Sequence, residues 1–318
     1  MKKLTMCIAL AVALMAATLA HAQAPEAPAA RPAEFTCSPA PCVLPPTLVS
    51  AGALIATDTT VASNPLNRRA LLSGSYGDNC AQFFYLSTDR GSDWALTECG
   101  MPGVQLGQRY YLAADEPSVG YDLKGNAYVS AVYDYATETE DYSLVAVQKS
   151  SDGDSWGKPR VALLQPGVTV FYLTHLAVDA SASSPRAGAV YVSGMLLSND
   201  NSDNQVWVAH SDDGGETWKQ VAVDRIQKYP EQDAWTRMAV GKDGTVYVTW
   251  LRCRGGCHSA SVMLSTSSDG GNIWSSPQRV AKVEGGVGNC LTLSSAPMTT
   301  RPSRSTTATG HTPATFMS

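Results

Sequence analysis

The stretch SDDGGETW at residues 211–218 places the largest apolar side chain directly behind a turn of hydroxyl, carboxylate and glycine. Near copies are STDRGSDW at 87–94, SSDGDSW at 150–156 and SSDGGNIW at 267–274, so their starts at Ser87, Ser150, Ser211 and Ser267 are 63, 61 and 56 residues apart. The second copy is one residue short. A repeat of this period signals one supersecondary unit used again and again, each unit unable to bury its apolar faces without a neighbour. A second repeat runs in phase with the first: ALLSG at 70–74, AYVSA at 127–131, VYVSG at 190–194 and VYVTW at 246–250. These short apolar runs suit strands.

Three of the runs follow another apolar run and a turn, in SVGYDLKG, LAVDASASSPRAG and MAVGKDG. Their Asp-Gly and Lys-Asp-Gly content marks hairpins. Each unit therefore reads strand, turn, strand, loop, strand, polar turn, strand. In the third unit these strands are Leu176–Val178, Val190–Gly194, Gln205–His210 and Gln220–Val223. Four antiparallel strands recurring at this spacing predict an all-β fold, a β-propeller with four recognisable blades over residues 48–288. The polar turn then joins the third and fourth strands of a blade. Asp213 accepts backbone N–H groups of its own turn, Ser211 closes it, and Gly215 supplies a backbone angle that other residues resist. Trp218 folds back between neighbouring sheets, a burial contributing roughly 2–3 kcal/mol.

The pattern Ser-x-Asp-x-Gly-x-Thr-Trp resembles the Asp-box, or bacterial neuraminidase repeat. It is carried here by Ser87, Asp89, Gly91 and Trp94, by Ser150, Asp152 and Trp156, by Ser211, Asp213, Gly215 and Trp218, and by Ser267, Asp269, Gly271 and Trp274. The third copy matches at every defined position, the first has Asp93 in place of Thr, and the fourth has Ile273. The resemblance to the sialidase superfamily implies a six-bladed propeller that removes terminal sialic acid. It also implies three arginines on the substrate carboxylate, a tyrosine nucleophile with a glutamate base, and an aspartate acid/base. The family's early Arg-Ile-Pro motif has no counterpart in TTVASNPLNRRALLSG, and the three arginines are not assigned. The repeat itself lies far from chemistry and also occurs in propellers that are not enzymes. Glycoside hydrolysis of the exo-α-sialidase type and non-catalytic binding of a glycan or a cell-surface protein both stay open.

Candidate site residues follow from the architecture, because the innermost strand of each blade lines the central funnel. The segments QRYYLAADEPSVGYD at 108–122, FYLTHLAVD at 171–179 and DAWTRMAVG at 233–241 offer Arg109, Tyr110, Asp115, Glu116, Tyr172, His175, Asp233, Trp235 and Arg237. Arginine, carboxylates and aromatics are what a sugar-acid pocket needs; equally, such groups can satisfy one another in a polar funnel. Asp115 with Glu116 is the weakest pair, since adjacent strand residues point to opposite faces. No metal or cofactor is expected.

Residues outside the repeats bound the setting. Lys2 and Lys3, the apolar run Leu4–Leu19 and Ala20-His21-Ala22 predict a secretory signal peptide over 1–22, hence a secreted or periplasmic protein without a membrane span in its mature chain. Residues 23–47 form a Pro/Ala-rich linker. Export favours disulfides, and sequence proximity suggests Cys37–Cys42, Cys80–Cys99 and Cys253–Cys257, leaving Cys290 over. A net charge of −5 argues against a nucleic-acid partner. Residues 289–318 hold 13 Ser or Thr after Cys290 and no strand alternation, which fits either a natural Ser/Thr-rich tail or out-of-frame sequence.

Overall fold

The computed structural model describes residues 46–49, 56–77, 81–137, 140–165, 169–198, 204–226, 231–254 and 259–283. The expectations for the signal peptide, for residues 23–45 of the linker and for the tail lie outside these residues, as do Cys37, Cys42, Cys80, Cys257 and Cys290. Cys99 and Cys253 are each disulfide-bonded.

The described chain is all-β, in four antiparallel sheets. The first holds β1 (Ala56–Ser63), β2 (Leu71–Gly77), β3 (Gln82–Ser87) and β4 (Ala95–Cys99), in that order. The second has five strands: β5 (Val104–Leu106), β6 (Arg109–Tyr121), β7 (Ala127–Ala136), β8 (Asp141–Ser150) and β9 (Arg160–Leu163). The third comprises β10 (Thr169–Val178), β11 (Val190–Ser198), β12 (Asn204–Ser211) and β13 (Lys219–Ile226). The fourth comprises β14 (Gln232–Val240), β15 (Val246–Arg254), β16 (Ser259–Ser267) and β17 (Gln278–Val283). The inner strands contact one another in sequence, β1 on β6, β6 on β10 and β10 on β14, so the sheets are four blades of a propeller set along an arc. Among the described residues no comparable contact joins β14 to β1.

The expected blade of four strands holds in three sheets. The second differs because β6 runs on past its neighbours and pairs at Arg109–Tyr111 with the short β5. The second-strand repeat is also offset by one in the first blade. The turn serines Ser87, Ser150, Ser211 and Ser267 lie opposite Leu71, Ala127, Val190 and Val246. The unit therefore starts at Leu71, and Ala70 precedes the strand.

Alternation along these strands supplies two packing faces. Leu72, Tyr128 and Tyr191, equivalent in register, are fully buried against the following blade. Tyr247, their counterpart in the fourth blade, is 38% exposed. Beside these residues the inner strands carry Ala62, Gly120, Ala177 and Ala239. The blades converge there, and a Cβ added at Gly120 would lie 2.8 Å from Leu176 Cδ2.

The four polar turns share one hydrogen-bond plan. In each, the serine Oγ donates to the aspartate Oδ1 at 2.7–2.9 Å and accepts the N–H of Gly91, Gly153, Gly215 or Gly271 at 2.8 Å. These glycines have φ of 81–93°, where a Cβ is strained. Thr217 Oγ1 donates to Asp213 Oδ2 at 2.5 Å, and Asp213 Oδ1 accepts Thr217 N and Glu216 N; the Thr217 side-chain bond first, then its backbone bond, hold the carboxyl down at about 2. Trp94, Trp218 and Trp274 donate Nε1–H to the glycine carbonyl at 3.0–3.1 Å. The shortened second turn loses this bond, and Trp156 Nε1 is buried without an acceptor. As expected, the rings wedge between sheets: Trp156 against Phe84 of the first blade, Trp218 and Trp274 into the following two interfaces. Trp94 instead packs with Phe83, Tyr85 and Val49 on the outer face of the first blade.

Ser211→Ala removes the buried hydroxyl and strands the Gly215 N–H, so it should destabilise the protein by about 1–3 kcal/mol in urea unfolding. Ser92→Ala, at an exposed hydroxyl of the first turn, should cost less than about 0.5 kcal/mol.

Candidate functional site

Antiparallel pairing puts the polar turns and the hairpins after the inner strands at one end of the arc. The N-terminal halves of the inner strands lie toward the other end. Arg109, Tyr110, Asp115, Tyr172, Asp233 and Trp235 fall on these halves of β6, β10 and β14, while Glu116, His175 and Arg237 lie at or just past mid-strand.

Each inner strand bends at the same level. Two residues face one on the second strand, between Thr57 and Thr60, Asp115 and Ser118, Tyr172 and His175, and Ala234 and Arg237. The first residue of each bulge is left-handed: Asp58 (φ 49°), Glu116 (54°), Leu173 (53°) and Trp235 (52°). Glycine normally fills that position, and a side chain there costs roughly 1–2 kcal/mol. The strained backbone is held by bonds between blades. Thr236 Oγ1 donates to Leu173 O at 2.7 Å and Thr174 Oγ1 to Glu116 O at 3.4 Å. One step on, Leu176 N donates to Ser118 Oγ at 3.0 Å and Met238 N to His175 Nδ1 at 3.3 Å.

Two candidates thus serve the scaffold. Glu116 Oε2 accepts Thr174 N at 2.8 Å, tying the second blade to the bulge of the third. Desolvation, with the Asp115 charge beside it, pushes the Glu116 carboxyl up to about 8. His175 accepts through Nδ1, so its ring proton sits on Nε2; burial, then Arg237, lower it to about 4 and keep it neutral. Arg237 is exposed, with Nη1 donating to Thr236 O at 2.8 Å. Tyr172 and Trp235 are half-buried nearby in sequence.

The remaining candidates stand apart. Where β6 overruns the sheet, Arg109 pairs with Glu140 at 3.2 Å and lies over the rings of Tyr142 and Tyr135, 4.2 and 5.7 Å from their centroids. Tyr110 faces the other way, 51% exposed. Asp233 is fully buried between the third and fourth blades, where Arg252 Nε meets its Oδ1 at 3.0 Å and Arg252 Nη2 also meets Asp224. Asn204 Oδ1 accepts Asp233 N at 2.8 Å. Burial, with the Glu231 charge adding to it, pushes the Asp233 carboxyl up to about 8; the forked contact with Arg252 opposes this by favouring the charged form. Arg252, Asp224, Asn204 and Glu140 carry no repeat signal, and only the blade contacts reveal their parts. Thr174 and Thr236 were legible in principle, as hydroxyls at one position of two inner strands. Among the described residues no group of three His, Cys, Asp or Glu is placed to hold a metal ion.

No protein-family model matches the sequence, and no curated protein matches it. Solved structures do match in fold. An α-L-arabinanase of Penicillium chrysogenum complexed with arabinobiose aligns at TM-score 0.52 and 14% identity, over 73% of this chain and 69% of that one. The NanB sialidase of Streptococcus pneumoniae aligns at 0.51 and 12%, over 76% and 55%. A Dyadobacter fermentans protein of unknown function aligns at 0.51 and 15%, over 70% and 68%. The chain thus spans between about half and two thirds of these structures, and at such identities the likeness is one of fold.

The two scaffold groups titrate in opposite senses. Glu116 keeps its proton in the fold up to about 8, while an unfolded glutamate releases it near 4.5, so its contribution to stability falls as pH rises through that window. Glu116→Gln should flatten this fall in chemical denaturation at stepped pH. His175 contributes a loss as pH drops from 6.5 to about 4, because only the unfolded imidazole takes up a proton there. His175→Asn should remove that loss. Arg252→Ala removes the ion-pair partner of buried Asp233, whose carboxyl then takes up a proton, and should cost about 1–3 kcal/mol by urea unfolding.

Proposed function

We propose that this chain is an exported Asp-box propeller of the sialidase superfamily that recognises glycans at the end of the arc opposite its polar turns. The observation carrying the reading is the set of four strained, non-glycine bulges at one level of the inner strands, beside Arg237, Tyr172, Asp115 and Glu116. Strain held at one level by neighbouring structure is a mark of binding sites. The fold likeness to a sialidase and to an arabinanase supports a glycan as the ligand. The N-terminal sequence supports export, and disulfide-bonded Cys99 and Cys253 suit an oxidising compartment, with Cys80 and Cys257 as the proposed partners.

Recognition is favoured over turnover because Glu116 and His175 are engaged in bonds between blades, and no three-arginine carboxylate site is assigned. One observation favours hydrolysis: a carboxyl raised to about 8, as at Glu116, holds a proton at neutral pH as a general acid must. The purified chain should bind immobilised glycoprotein and polysaccharide surfaces saturably in surface plasmon resonance. Arg237→Ala and Tyr110→Ala should each weaken binding about tenfold or more. Release of fluorophore from aryl glycosides, lost on Glu116→Gln, would establish hydrolysis instead; absence of binding to every surface would overturn both readings. Mass spectrometry of the exported protein should find an N-terminus at Gln23.

A further inference from the structure

We propose that the ligand taken at this end is an uncharged sugar rather than a carboxylate-bearing one, an inference that rests on the glycan reading above. The inner strands carry only two arginines and no lysine. Arg109 is paired with Glu140 and flanked by Tyr135 and Tyr142. Arg237 alone has no carboxylate oxygen within 4 Å among the described residues, and one of its nitrogens is bonded to Thr236 O. A sugar carboxylate is best held by a planar fork or by several cations at once. Against this one inner-strand guanidinium stand the carboxylates of Asp115 and Asp58 at the bulges, both acting on Glu116, which itself is protonated at neutral pH and adds no charge. Like charge at a site is a specificity device, since it rejects an anion without altering contacts to a neutral ligand.

The groups that remain suit hydroxyls and C–H faces. His175, neutral with its proton on Nε2, and Glu116, which retains its proton at neutral pH, are both donors suited to sugar oxygens. On the overrun of β6, Tyr110 and Leu112 are 51% and 54% exposed on the strand face opposite Arg109 and Tyr111. The Tyr110 ring rests on Gly103, where an added Cβ would lie 2.4 Å from it. A held, exposed ring beside an apolar side chain is a platform on which an uncharged sugar face can stack.

A glycan array carrying matched pairs with and without terminal sialic or hexuronic acid tests this with the full chain. Binding should favour the uncharged member of each pair by about tenfold or more, and Asp115→Asn should narrow that ratio by raising affinity for the acidic member. Equal or tighter binding of the acidic members overturns the inference and leaves the glycan reading standing. Binding to no glycan of either kind overturns the glycan reading and this inference with it.

Discussion

A blade that is apolar on both faces cannot exist alone, and the architecture follows from that constraint. Alternation in β7 and β11 sends Tyr128 and Tyr191 toward one neighbour and Val129 and Val192 toward the other. The indoles behind the polar turns meet those rings from the next sheet. The turn and the wedge are one device, since the serine–aspartate–glycine bonds fix the corner from which the ring projects. The second turn shows the coupling: one residue fewer leaves the serine and aspartate bonds intact, while the indole N–H loses its acceptor.

The same constraint explains what could be read from sequence. The repeats report on local chemistry, so turns, strand order and the seats of Trp156, Trp218 and Trp274 were legible, while Trp94 sits elsewhere. Leu71, Ala127, Val190 and Val246 open equivalent strands, yet the first run reads one residue early because Ala70 mimics Ala127 at the head of ALLSG. The extra strand β5 escaped notice because VQL is only three residues long and carries no repeat.

The candidate site was legible in position but not in role. Inner-strand placement put the candidates on β6, β10 and β14, around the bulge or on the side away from the polar turns. It could not show that Glu116 and His175 reach across to the next blade, because the partners are backbone N–H groups 58 and 63 residues away. Asp233 reads as a funnel carboxylate, whereas burial beside Arg252 makes it part of an interface. Spacing along the chain carries no information about such pairings, which depend on how two sheets approach each other.

The level bulge in the inner strands splits each into two compartments with separate rules. On the turn side lie Val61, Val119, Leu176 and Met238, followed by Ala62, Gly120, Ala177 and Ala239, a monotonous set dictated by close approach. On the other side lie segments as different as Ala56–Thr57, Arg109–Asp115 and Gln232–Ala234. Because two residues are absorbed against one at the bend, side-chain parity is reset there, and the far compartment can change composition or length without turning the packed compartment inside out. Such a partition lets a rigid frame host varied chemistry at its rim, with the bulge acting as the joint between them.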